Sequence, residues 1–165
     1  MAISTLKGVN KWTELASSTI SGTPTSVSFT SISSIYSKLL INWQKVLMDS
    51  TPATVGIRFN NDSGSNYAFT YSYFSSNIYY LTGNGDDTRI GTGQFDQVNE
   101  STGFLLIENA NDIYKKITYA NNNGSATNLA FQGQGNWINA TAIDRIDLVS
   151  TANFGSGTVK LYGSN

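Results

Sequence analysis

Cysteine and histidine are both absent from this chain of 165 residues. Without cysteine there is no disulfide, no thiolate nucleophile and no sulfur-based metal site. Without histidine the commonest general base and the commonest transition-metal ligand are missing as well. Charge is scarce: 13% of residues carry one, against roughly 25% in typical soluble domains. The 10 Lys and Arg are balanced by 11 Asp and Glu, so no basic excess is available to displace counterions from phosphate. That argues against a nucleic-acid binder. The adjacent Lys115 and Lys116 read as a solvated guard on a strand edge. Long apolar runs are lacking too. The opening Met1-Ala2-Ile3-Ser4-Thr5-Leu6-Lys7-Gly8 has no signal-peptide core, and no later stretch is long enough to span a bilayer.

Ser, Thr, Asn and Gly fill the positions that charge leaves vacant. Hydroxyls and amides keep a surface soluble without strong fields, and they suit turns and β surfaces better than helices. The length fits one domain with a core of its own. Asn-x-Ser/Thr sequons at Asn61, Asn99, Asn123 and Asn139 are the number expected by chance in such a composition.

Apolar residues recur with period two. Val27 and Phe29, then Leu39, Ile41 and Trp43, then Val55, Ile57 and Phe59 alternate with other residues. The pairs Leu105/Ile107, Ile117/Tyr119, Leu129/Phe131, Ile146/Leu148 and Val159/Leu161 repeat the pattern. Each predicts a half-buried strand. Gly/Asn/Asp/Ser clusters near 21–24, 60–66, 83–86, 121–124 and 155–157 predict the turns between them. Residues 31–38 have room for one helical turn. The expected class is all-β, an antiparallel sandwich or barrel.

Tyr67, Phe69, Tyr71 and Tyr73 fall on one face of a strand, with Phe74, Tyr79 and Tyr80 close behind. Such a stripe serves either as core and cross-strand packing or as a subunit interface or sugar-stacking platform. Trp43 alternates as a core residue. Trp12 and Trp137 lie among polar neighbours, where an indole would stack on a sugar or plug a partner's pocket, or close one end of a sandwich.

Acid pairs offer little for catalysis. A glycosidase needs two carboxylates held roughly 5 to 10 Å apart across a cleft. Asp144 and Asp147 stand an odd number of positions apart, and Asp86 and Asp87 share one turn. Neither pair is arranged for acid/base work. Residues 60–66 form an oxygen-rich loop, but the twelfth position counted from Asn60 is Tyr71, where a calcium loop needs a bidentate acid. A hairpin turn is the expected reading there, and Asp86 with Asp87 is the better of two poor metal candidates. No cofactor is expected.

Two longer stretches carry more information. Val55-Gly56-Ile57-Arg58-Phe59 runs into Asn60-Asn61-Asp62-Ser63-Gly64-Ser65-Asn66-Tyr67. Near the end, Ile143-Asp144-Arg145-Ile146-Asp147-Leu148 precedes Asn153-Phe154-Gly155-Ser156-Gly157-Thr158-Val159-Lys160-Leu161-Tyr162-Gly163. Together with Lys11-Trp12-Thr13-Glu14-Leu15 and Leu39-Leu40-Ile41-Asn42-Trp43, this resembles the small jelly-roll virion proteins of tailed bacteriophages. Those occur as capsid decoration (cement) proteins and as tips of tail or head fibres.

The resemblance runs from residue 11 to 163 and is weakest over 68–102. It implies a jelly-roll-like antiparallel β-sandwich over 12–165, preceded by an arm over 1–11, made in the host cytoplasm and carried on the virion. The implied partners are itself, as a homotrimer, and the major capsid protein or another virion protein. A host surface glycan is the alternative partner, for a fibre head. The expected contact residues are Trp12, Tyr71, Tyr73, Phe74 and Trp137.

Overall fold

The computed structural model describes residues 11–75, 78–123 and 130–165. The side chains of Ser75, Ile78, Asn84 and Asp86 are outside that description. So are most of the expected arm and Leu129. Twelve strands and no helix are found among the described residues, in keeping with the period-two reading. They are β1 (Thr13–Thr19), β2 (Ser26–Phe29), β3 (Lys38–Met48), β4 (Ala53–Phe59), β5 (Tyr67–Ser75) and β6 (Ile78–Asp87). The second half supplies β7 (Ile90–Phe95), β8 (Ser101–Glu108), β9 (Tyr114–Asn122), β10 (Ala130–Ile138), β11 (Ile146–Ser150) and β12 (Phe154–Ser164). The segment 31–38, allowed a helical turn by sequence, leads into β3 through a simple turn.

The strands form two antiparallel sheets. One has eight strands in the order β1-β12-β3-β8-β9-β10-β5-β6, and the other has four in the order β2-β11-β4-β7. Set aside β5–β6 and β9–β10, and the remaining strands pair as β1-β12-β3-β8 opposite β2-β11-β4-β7. Successive strands alternate between the sheets except for β4 and β7, which pair with each other in the small one, as in a jelly roll. The two extra hairpins continue the first sheet outward from β8 and double its width.

The predicted alternation sets the register. Leu39, Ile41 and Trp43 on β3 face inward, and so do Val55, Ile57 and Phe59 on β4. They meet Leu105, Ile107, Ile146, Leu148, Val159 and Leu161 in one continuous core. The Trp43 indole N–H donates to the Asn121 side-chain oxygen at 2.9 Å, which satisfies the buried indole.

Four expectations need correction. Residues 155–157 are not a turn but part of β12, where the register against β3 shifts on either side of Ser156. Residues 60–66 do not close a hairpin. They carry the chain from β4 in the small sheet to β5 in the large one. Asn60 and Asn61 both adopt positive φ, 51° and 57°, which asparagine tolerates better than most residues. Residues 83–86 are not a turn but the second half of β6, with Gly83 opposite Thr70. Pairing with β5 overrides their turn composition. Lys115 and Lys116 guard no edge, because β9 lies between β8 and β10.

Candidate functional site

The small sheet is narrower than the large one, and this mismatch defines the surfaces available for function. Its edge strand β7 passes over the inner faces of β5 and β10. Gly93, at φ 110°, sits so close that an added Cβ would lie 2.6 Å from the Phe131 ring. Only glycine permits both that backbone and that approach. Beyond β7, strand β6 pairs with β5 alone and forms the free edge of the large sheet.

On the inner face of β5 the predicted stripe is a ladder of rings. Tyr67 stacks on Trp137 at 6.1 Å, Phe69 on Tyr71 at 6.0 Å, and Tyr71 leans on Tyr73 at 6.0 Å. Tyr73 is held between Phe131 at 5.3 Å and Tyr80 at 4.7 Å. Tyr67 and Phe69 are buried, Tyr71 and Tyr73 are half-buried, and Tyr80 at the free edge is exposed. The ladder therefore begins as core and ends at the surface. Where it emerges, a cleft of about 530 Å³ is bounded by Tyr71, Tyr73 and Phe131 and by Asp87, Arg89 and Gln94. Burial lowers the pKa of the Arg89 guanidinium, with Arg58 acting the same way and Asp87 opposing. Burial raises that of the Tyr71 hydroxyl, helped by the charge of Tyr73.

Trp137 was expected at a contact surface and is instead completely buried. Its indole packs on Phe59 at 5.3 Å and donates its N–H to Asp62 at 2.8 Å. The Lys115 ammonium lies 4.7 Å from its ring centroid. Lys115 faces the core and donates to the carbonyl oxygens of Asn139 and Thr141. Burial depresses its pKa, partly offset by Asp112. The polar neighbours of Trp137 mislead because Gln134 and Asn136 point out of the sheet, whereas Gly133 and Gly135 on the inner face leave room for rings.

Asp62 is committed to structure as well. It accepts from the Gly64 backbone N–H at 2.8 Å and the Asn66 amide at 2.9 Å, besides Trp137. Burial alone would raise its pKa, but these bonds together hold it below the usual carboxylate value. No group of three or more Asp or Glu side chains is placed to hold a metal ion among the described residues. Asp87 accepts from the Thr88 N–H at 2.6 Å, and the Asp86 side chain lies outside the described residues. Asp147 binds Arg145 at 2.9 Å and accepts from Ser28, whereas Asp144 is exposed in the loop before β11.

Trp12 is exposed beside β1, at the opposite edge of the large sheet from β6. The structure therefore brings Tyr71 and Tyr73 together, points Phe74 to the other face, and leaves Trp12 at the far end.

That other face was not anticipated. Leu81, Ser72, Gln132, Ala120 and Phe104 form one cross-strand row on it. Phe74 and Tyr79 begin the adjacent row. Leu81, Tyr79, Phe74 and Phe104 are all exposed. The signal was available in the sequence, since Phe74, Tyr79 and Leu81 break the polar half of the alternation. Family models, curated proteins and solved structures return no match to this chain.

Proposed function

We propose that the chain is a bacteriophage virion protein of the capsid decoration type, acting by assembly rather than turnover. In this reading it forms a homotrimer and sits on the major capsid protein. The observation that carries the reading is the emerging end of the aromatic ladder. Tyr71, Tyr73 and Tyr80 reach the surface beside the unpaired edge of β6, which a lone sandwich leaves to water. A threefold ring needs two different surfaces that meet head to tail. The β6 end supplies one, and the β1 end with exposed Trp12 supplies the other. The resemblance over residues 11–163 supports the same reading.

Light scattering on the purified chain, followed by cosedimentation with undecorated phage shells, tests it. A trimer that loads onto shells is expected, and Tyr80→Glu should shift the trimer towards monomer. A monomer that ignores shells contradicts the reading. The apolar side chains on the outer face of the large sheet favour a second reading, the glycan-binding head of a fibre.

A further inference from the structure

Among the described residues nine ring pairs link the aromatic side chains of the core and ladder. Phe74, Tyr79 and Phe104 belong to none of them, although all three are exposed. All three belong to cross-strand rows on the outer side of the large sheet. Leu81, Phe74 and Tyr79 stand as one wall along β5 and β6, and Phe104 on β8 stands as the other. Between them the floor is low, because Ala120 and Ala130 carry only methyl groups there.

The resulting cavity is about 470 Å³. A second of about 390 Å³ shares Ser72, Phe104, Ala120 and Gln132 with it. A third of about 630 Å³ shares Thr70, Thr118 and Gln134 with the second. The three join into one trough that follows the strands. From Ala130 to Asn136 along its floor the rise is roughly 20 Å at about 3.4 Å per residue.

The chemistry of the trough changes along its length, from rings and alanines at one end to polar side chains in the middle. Hydroxyls and amides from Thr70, Thr118, Gln132 and Gln134 line its middle, and among the described residues the first two cavities contain no charged one. Among the described residues charge enters at the far end, with Glu108 and Lys116. An acidic polymer would need cations along the path, and a nucleic acid more still. Unmated ring faces attract the polarised C–H groups of a sugar ring. Side-chain amides and hydroxyls can each donate and accept towards sugar hydroxyls.

We infer that this trough binds a linear, neutral oligosaccharide, with Tyr79 and Phe104 as its stacking residues. The inference deepens the glycan-binding reading and places the site on the outer face, away from the ladder and Trp137. Tyr73 is unsuited to the role because both of its ring faces are already covered.

The test is calorimetry and affinity electrophoresis of the full chain against linear neutral hexasaccharides (glucans, mannans and galactans), with polygalacturonate as the charged comparison. At least one neutral hexasaccharide should bind, and polygalacturonate should not bind more tightly. Tyr79→Ala and Phe104→Ala should each weaken binding about tenfold, the effect of losing one ring face. Ile35→Ala, an exposed apolar truncation elsewhere, should leave binding unchanged. Melting curves of each variant establish that it is folded.

Failure of every neutral hexasaccharide at millimolar concentration overturns the assignment. So does binding that ignores both ring truncations. Retention of reduced casein with the same variant sensitivity would make the trough a peptide groove. Loss of a trimer in Tyr79→Ala without glycan binding would assign it to a second copy. Binding is measured on soluble protein without shells, so its outcome is independent of the decoration reading.

Discussion

Strand β5 carries aromatic side chains on both faces, and the two faces behave differently. Inward, Tyr67, Phe69, Tyr71 and Tyr73 stack on each other and on Phe131, Trp137 and Tyr80. Outward, Phe74 stands beside Thr70 and Ser72 and joins no ring pair. A ring with both faces covered contributes to stability, and a ring with free faces offers binding. Neighbours in sequence, such as Tyr73 and Phe74, thus differ in ring contact within one strand.

Changes to the inner face should cost most. Trp137→Ala removes a fully buried indole, its bond to Asp62 and the surface on which Lys115 rests. A loss of about 4 kcal/mol of unfolding free energy is expected in urea titrations. Gly93→Ala tests the approach of β7 to the ladder. Positive φ and the Phe131 ring together should cost about 2 kcal/mol. Gly85→Ala, where an added Cβ meets nothing within 4 Å, should stay within about 0.5 kcal/mol. Equal losses at the two glycines would remove the contact from the account.

Alkali sharpens the contrast further. Burial raises the hydroxyl pKa of Tyr67 and of Tyr119 well above the ordinary 10.0. Above pH 10 the unfolded chain loses these protons while the folded chain keeps them. Their contribution is therefore complete below pH 10 and is lost as pH rises beyond it. Denaturation midpoints should fall above pH 10, and less steeply in Tyr119→Phe. At neutral pH the same variant should be neutral or more stable by about 1 kcal/mol, because the Tyr119 hydroxyl is buried without a hydrogen-bond partner. A marked loss at neutral pH would show that the hydroxyl is paired after all.

The sandwich is legible in the sequence because burial of one sheet face leaves period-two alternation, as in Leu39, Ile41 and Trp43. The inner ladder is legible for the same reason. Other features depend on contacts between distant segments. Trp137 reads equally as a contact residue or as the end of the core, because its neighbours are glycines and amides, and the arriving Phe59, Tyr67 and Asp62 make it core. Residues 83–86 have turn composition and become strand through pairing with β5. Lys115 looks solvated until the 139–141 carbonyls close over it. The trough was missed because its walls come from β5, β6 and β8, and its depth from two alanines on β9 and β10.

The division between the two faces of β5 is tested most directly by urea unfolding of Tyr73→Ala and Phe74→Ala side by side. The account predicts a loss of about 2 kcal/mol for Tyr73→Ala and of no more than about 0.5 kcal/mol for Phe74→Ala. Equal losses, or a larger one for Phe74→Ala, would contradict it.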